Sequence, residues 1–231
     1  MKLFWAVLAE RAGAANYVCF NSMLDVAMVA GRNGYSRISS GYTRTDDARN
    51  GMIEMFLSKS TEPDDMLVMM DGDHKYPLDI LEQFADLDPA LGVVGALAYR
   101  RGAPFDPLFF FRGEDGGLHT PLGFERGPVY QCAMITTSCI AIRRHVLDSL
   151  IREGFKLPFF RYTYNEETGV CPSEDVYFSA ICEKAGIPVY CHTGIEIPHA
   201  TIDFITADTR AKFEDENEIP AMDVLVSANG N

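Results

Sequence analysis

Two hydrophobic spacings divide the 231-residue chain into alternating strand and helix candidates. Continuous apolar runs bounded by polar residues are typical of strands that are buried on both faces, as in a parallel sheet. Such runs predict strands over 3–9, 66–70 and 91–99, with a weaker candidate over 35–43, an edge strand over 109–111 and a last strand region over 187–197. In the clearest of them, 66–70, every residue is apolar.

Apolar residues three or four positions apart predict helices between these strands. Several candidates carry a start or stop signal, such as Thr45 followed by two acids, Pro77, or the glycine at position 186. The predicted helices cover 15–31, a segment that starts at 45 and includes 52–56, then 77–85, 146–153, 173–185 and 207–213. This alternation of strands and helices predicts an α/β fold.

The composition fits one soluble domain. Apolar residues make up 47% of the chain, and no apolar run approaches the ~20 residues that span a bilayer. Glu10 and Arg11 interrupt the apolar N-terminus, which favours a strand over a signal peptide. The six cysteines have neither Cys-x-x-Cys nor zinc-type spacing, which favours the reducing cytoplasm. The formal charge of −13 argues against a large basic surface for nucleic acid.

Two carboxylates, Asp71 and Asp73, follow the central predicted strand with one glycine between them. Ligands of open α/β sheets bind at the carboxyl ends of the strands, and Gly72 lets a ligand approach the backbone. Carboxylate oxygens suit Mg²⁺ or Mn²⁺, which are often shared with substrate phosphates. The residues alone leave a second interpretation open, in which both acids only solvate the strand end and cap the next helix.

Arg49 falls on the apolar stripe of the helix that contains 52–56. A buried arginine needs a partner. One interpretation pairs it with a core carboxylate such as Asp46 or Asp71. The other directs it at a phosphate or nucleotide, and then Arg49→Met is expected to weaken donor binding and leave folding intact or improved.

Glu174 and Asp175 begin the helix predicted over 173–185, directly after Ser173. Serine is a good N-cap residue, and acids in the first turn complement the helix dipole. The pair therefore has a purely structural interpretation beside a catalytic one.

The order of these motifs resembles the GT-A glycosyltransferases, in particular the family-2-like enzymes. The matching segments are 49–50, 67–74, 95–101, 136–144, 173–178 and 197–199. The resemblance covers residues 1 to 200 and implies a GT-A fold, which is Rossmann-like and has a mixed, mostly parallel sheet flanked by helices. It also implies a single catalytic domain over 1–205, followed by a C-terminal helix and loose tail over 206–231.

The resemblance assigns roles to the polar residues at the sheet edge. It implies Asp73 as a direct metal ligand, Asp71 as a contact of the ribose or the metal, and His199 as a further ligand. It implies Asp175 as the general base, because a hydroxyl attacks poorly until its proton is removed, and Glu174 as an acceptor contact. The remaining donor-binding residues that we predict are Ala9, Arg49 and Arg100.

The activity implied is transfer of a hexose or pentose from a UDP- or GDP-linked sugar to a hydroxyl, by single displacement with Mn²⁺ or Mg²⁺. Departures from the family pattern at 9–11 and 137–139 leave the nucleotide and the sugar open. A nucleotidyltransferase of related fold, for which 10–14 is a poor glycine-rich loop, and a non-catalytic nucleotide-sugar-binding module remain alternatives. The acceptor is open among glycans, small molecules and modified phage DNA, which the acidic charge makes the least favoured.

Overall fold

The computed structural model describes residues 1–8, 17–41, 44–164, 166, 169, 171–201 and 204–216. Its strands are β1 Leu3–Leu8, β2 Ser36–Arg37, β3 Met66–Asp71, β4 Val93–Leu97, β5 Phe109–Arg112, β6 Leu118–His119, β7 Val129–Cys132, β8 Met134–Ile135, β9 Cys139–Arg143, β10 Val189–Glu196, β11 His199–Ala200 and β12 Phe204–Ile205. Its helices are α1 Tyr17–Arg32, α2 Thr45–Lys59, α3 Ile80–Ala85, α4 Arg144–Arg152, α5 Glu174–Lys184 and α6 Ala207–Glu216.

The described residues form a central seven-stranded sheet in the order β2-β1-β3-β9-β4-β10-β7. Strands β2, β1 and β3 are parallel, and β10 is parallel to β4. Strand β9 is antiparallel to both β3 and β4, so β2, β1, β3, β4 and β10 all point in the same direction. Strand β7 is antiparallel to β10. The sheet is therefore mixed and mostly parallel.

Strand β3 runs through the middle of the core and sends alternate side chains to opposite faces. Leu67 and Met69 belong to a cluster that includes residues of α2, α4 and α5, whereas Val68 and Met70 pack on the other face with residues of α1 and α3. All of 66–70 is at most 1% exposed, and full burial of such a side chain contributes about 1.5–3 kcal/mol. Helices thus cover both faces, and the predicted fold class is confirmed.

Two predicted elements are shorter than the sequence pattern indicates. The candidate strand over 35–43 is reduced to β2, an exposed edge strand that pairs only with β1 in the described sheet. The helix predicted from Pro77 starts at Ile80, after a turn in which the Ile80 N–H donates to the Pro77 carbonyl over 3.2 Å. Leu78 fits the helical spacing of the apolar residues in 77–85, but it lies in that turn and is 57% exposed.

The predicted edge strand over 109–111 is present as β5, but it belongs to a separate three-stranded sheet in the order β6-β5-β8. Phe109 pairs there with Ile135 of β8. This small sheet lies in the segment between β4 and β9.

The C-terminal helix α6 packs against the segment between β4 and β5. Its Arg210 donates from Nη1 to Oδ1 of Asp106 over 2.6 Å, and Phe213 meets Phe105 edge to face with the ring centroids 5.6 Å apart. The tail predicted beyond it, residues 217–231, lies outside the described residues. None of the helices in the described ranges is long and apolar enough to cross a membrane.

Candidate functional site

The carboxyl end of β3 brings the Asp-x-Asp motif to the edge of the central sheet. Asp71 is the last residue of β3 and pairs with Leu8 at the end of β1. The Asp71 N–H donates to the Ser138 carbonyl over 2.8 Å, and the Asp71 carbonyl accepts from the Tyr76 hydroxyl over 2.6 Å. The backbone of Asp71 is therefore fixed on two sides. Ala9, predicted to bind the donor at the same edge, lies outside the described residues.

Asp73 and His199 come together although 125 residues separate them in the chain. Backbone hydrogen bonds join the two segments, from Lys75 N–H to the Pro198 carbonyl over 3.0 Å and from Ala200 N–H to the Asp73 carbonyl over 2.9 Å. As a result, Nε2 of His199 lies 3.5 Å from Oδ2 of Asp73. The structure thus places at one point two residues that the sequence analysis assigned to a metal.

The hydrogen bonds of His199 determine which ring nitrogen carries the proton. Its Nδ1 lies 3.0 Å from the Tyr99 carbonyl, which can only accept. Its Nε2 lies 2.7 Å from Nε of Arg101, which can only donate. His199 is therefore neutral with its proton on Nδ1, and its Nε2 lone pair accepts from Arg101, 3.5 Å from Asp73 Oδ2. This is the tautomer that a metal-binding histidine needs.

His74, the residue after Asp73, supports this pair from inside the protein. Its ring is buried, and burial, with His199 and Arg49 nearby, lowers the pKa of His74 well below its usual range. The neutral ring lies with Nδ1 2.8 Å from Oδ1 of Asp73 and donates to it. Its Nε2 finds no hydrogen-bond partner among the described residues.

Among the described residues, one group of acids and histidines has the spacing of a metal site, namely Asp73, His74 and His199. Their candidate ligand atoms all lie within 4.8 Å of one another. Two imidazoles and a carboxylate form a donor set that suits a divalent cation. The cluster includes Asp73 and His199 as predicted, adds His74, and leaves Asp71 outside.

Asp71 belongs instead to a buried ion network centred on Arg49, which is 1% exposed. Arg49 donates from Nη2 to Asp71 Oδ1 over 2.9 Å, from Nε to Glu174 Oε1 over 3.3 Å, and from Nη1 to the Thr137 carbonyl over 2.9 Å. Burial lowers the pKa of Arg49, but the carboxylates of Asp71, Glu174 and Asp175 outweigh burial and leave that pKa raised. Of the interpretations left open for Arg49, the structure shows the pairing with Asp71.

The two acids at the start of α5 have different surroundings. Glu174 is buried and turned toward Arg49, whereas Asp175 Oδ1 accepts hydrogen bonds from the Ser173 hydroxyl and from the Val176 N–H. Within the described part of the chain, Ser173 makes no side-chain cap on α5. Burial raises the pKa of Asp175 and Glu174 raises it further, against the lowering effect of the Ser173 and Val176 bonds. Asp175 is thereby suited to accept a proton.

The two arginines after β4 take different positions. Arg100, predicted to bind the donor, is half exposed and lies with Nη2 3.9 Å from Oδ2 of Asp106. Arg101 instead reaches the cluster, where Nε donates to His199 and Nη2 donates to Asp73 Oδ2. Sequence reasoning thus missed Arg101 and His74, for which the only available signal was their position beside a predicted motif.

Comparisons with known proteins place the fold but not the family. No protein-family model matches the chain, and no curated protein matches it either. Among solved structures, the chain is similar to A197 from STIV, with a TM-score of 0.55 and 14% identity over 87% of this chain and 86% of that one. This similarity shows a shared fold alone.

Two further solved structures are more distant. A Drosophila beta-1,4-galactosyltransferase 7 mutant, in complex with manganese, UDP-Gal and xylobiose, gives a TM-score of 0.37 and 11% identity over 84% of this chain and 66% of that one. A glycosyltransferase involved in the glycosylation of the major capsid of PBCV-1 gives 0.38 and 13% over 95% of this chain and 100% of that one.

Proposed function

We propose that the protein is a metal-dependent glycosyltransferase that moves a sugar from a nucleotide-sugar donor to a hydroxyl acceptor. The observation that carries the proposal is the approach of His199 Nε2 to Asp73 Oδ2, 3.5 Å apart at the carboxyl edge of the sheet. The tautomer of His199 is fixed by its hydrogen bond to the Tyr99 carbonyl, and His74 holds the carboxylate of Asp73. The pair is therefore a preformed cation site. Such a site at this edge is suited to a ligand that carries a diphosphate.

The donor set fits a divalent metal, with Asp73 and His199 as ligands and His74 beside them. When bound, Mn²⁺ or Mg²⁺ would offset the negative charge that builds up on the departing nucleoside diphosphate. Asp71 lies at the same strand end, oriented by Arg49. We propose that its carboxylate accepts a hydrogen bond from the ribose of the donor or from a metal-bound water.

Asp175 is proposed as the general base. The bond between the anomeric carbon and the diphosphate oxygen breaks with its electron pair going to the diphosphate, while the acceptor oxygen bonds to the same carbon. The acceptor's proton passes to the Asp175 carboxylate. A base works best when its pKa is close to the working pH, and the raised pKa of Asp175 moves it in that direction.

A donor panel tests this function. UDP- and GDP-linked sugars are incubated with the protein, with and without Mn²⁺, and release of nucleoside diphosphate is measured. Mn²⁺-dependent release from one donor that disappears in Asp73→Ala supports the proposal. Release of pyrophosphate from a nucleoside triphosphate and a sugar phosphate would instead identify a nucleotidyltransferase. Tight donor binding without any release would identify a binding module.

A further inference from the structure

The guanidinium of Arg101 spans the two atoms that we assign to the metal. Its Nε donates to Nε2 of His199 over 2.7 Å, and its Nη2 donates to Oδ2 of Asp73. The guanidinium brings one positive charge and two N–H groups to a gap with one carboxylate oxygen and one imidazole lone pair. It therefore supplies the kind of contact that a divalent cation would make there.

The Nε2 lone pair of His199 can accept an N–H or coordinate a metal, but not both. We propose that Arg101 is an internal cation that occupies the metal position when no donor is bound and must leave before a divalent metal binds. This inference rests on the proposed metal site. Arg101 is then a latch, meaning a side chain that blocks the metal position while it is bound there and is not itself a metal ligand.

The surroundings of Arg101 allow such a movement. Its side chain is 50% exposed, and exposed ion pairs hold a side chain only weakly. Its partners, in contrast, are held from behind: Asp73 by Nδ1 of His74 and His199 by the Tyr99 carbonyl. The site therefore keeps its shape when the guanidinium leaves.

The released guanidinium of Arg101 can bind a second partner beside the site. Arginine binds phosphate oxygens in a bidentate manner, and the proposed donor brings a diphosphate to the metal beside Arg101. We infer that the Arg101 guanidinium leaves Asp73 and His199 and then binds the diphosphate. Arg101 should then oppose binding of the metal alone and favour binding of a nucleoside diphosphate once the metal is present.

These opposite signs can be measured with Arg101→Gln and Arg100→Gln. Both variants lose one positive charge from neighbouring positions, but Arg100 faces Asp106. The two proteins and the wild type are titrated with Mn²⁺ alone by calorimetry, and then with UDP and GDP at saturating Mn²⁺. If the latched form is favoured about ten to one, the apparent Kd for Mn²⁺ is raised about tenfold. Arg101→Gln should therefore bind Mn²⁺ about tenfold more tightly than the wild type and Arg100→Gln, yet bind the nucleoside diphosphate more weakly than the wild type.

The outcomes separate this inference from the proposed function. Equal Mn²⁺ affinity in the two variants, or weaker binding in Arg101→Gln, would overturn the latch and leave the metal site standing. Absence of Mn²⁺ binding in the wild type and both variants would overturn the metal site and the latch together. Binding that is detectable only in Arg101→Gln would support both.

Discussion

The imidazole rings of His74 and His199 are stacked, with their centroids 4.1 Å apart and their planes inclined by 19°. One ring is buried and holds Asp73, and Nε2 of the other lies 3.5 Å from Oδ2 of the same carboxylate. The stack therefore fixes the distance between the two proposed metal ligands. The relative positions of Asp73 and His199 thus depend on His74, which would not itself have to touch the substrate.

The first prediction concerns the hydrogen bond from His74 to Asp73. His74→Phe keeps a ring stacked on His199 but removes the Nδ1–H donor, so Mn²⁺ affinity should fall about 10- to 100-fold, as is typical when a ligand loses its supporting hydrogen bond. Calorimetric titration with Mn²⁺ measures the loss. His74→Asn places an amide N–H near the position of Nδ1 and should recover most of the affinity. Near-normal affinity in His74→Phe together with a loss in His74→Asn would show that ring packing, not the hydrogen bond, is what matters.

The second prediction concerns Arg49. The sequence alone suggested that Arg49→Met leaves folding intact, but Arg49 joins Asp71 and Glu174 in the structure. Breaking a buried pair leaves an uncompensated charge, so Arg49→Met should lower the free energy of unfolding by about 3 kcal/mol or more. Urea denaturation measures this change.

Arg44→Met is the matched control for Arg49→Met. Arg44 also pairs with an aspartate, Asp46, but the Arg44 side chain is exposed whereas that of Arg49 is buried, so loss of Arg44 should lower the free energy of unfolding by less than loss of Arg49 does. The double variant Arg49→Met with Glu174→Gln should recover part of the lost stability. A stability loss no larger than that of Arg44→Met would show that the buried network contributes little.

The third prediction separates Asp175 from Glu174. Asp175→Asn cannot take the acceptor's proton, so turnover should fall by roughly 10²- to 10⁴-fold, while binding of Mn²⁺ and nucleoside diphosphate stays unchanged. Glu174→Gln should act mainly on stability, because Glu174 is turned toward Arg49. Turnover with saturating donor and acceptor and urea denaturation are measured for both. Near-normal turnover in Asp175→Asn would exclude it as the base.

The fourth prediction follows from the raised pKa of Asp175. A carboxyl whose pKa is higher in the folded than in the unfolded protein binds its proton more tightly when folded, so its ionisation costs stability as the pH rises through the folded pKa. At pH 7, Asp175→Asn should therefore be more stable than the wild type, and this advantage should vanish below the usual aspartate pKa of 3.8. Glu174 and Arg49 act on Asp175 in opposite directions. Melting temperatures at pH 3.5 and 7 measure the effect, and a constant difference would contradict it.

The local pattern of apolar and polar residues was sufficient to predict most of the fold, for a physical reason. An uninterrupted apolar run such as 66–70 is compatible with burial on both faces, and β3 occupies that environment. The pattern failed where apolar residues had no neighbour to pack against. Leu78 continued a helical spacing, but the chain was still in a turn there, and solvent rather than the core surrounds it.

The site was predictable only in part, because its polar contacts are set by tertiary structure. Asp73 and His199 could be named because the order of motifs resembles the GT-A glycosyltransferases, and that resemblance implies both as metal ligands. The choice between Arg100 and Arg101 could not be made, because adjacent residues of an extended segment point in different directions. His74 was overlooked for a related reason. Its role depends on the ring of a residue far away in the chain, to which local spacing gives no clue.

The position of β9 between β3 and β4 determines when the sheet can close during folding. Strands β3 and β4 both leave the ribosome before β9, the strand that lies between them, so the edge of each that faces β9 stays unpaired until 139–143 has been made. Pairings between distant segments are slow to form, and strand edges that wait for a partner invite aggregation. His199 emerges later still. The segment that bears Asp71 and Asp73 is therefore synthesised early, and the contact of Asp73 with His199 cannot form until most of the chain has been made.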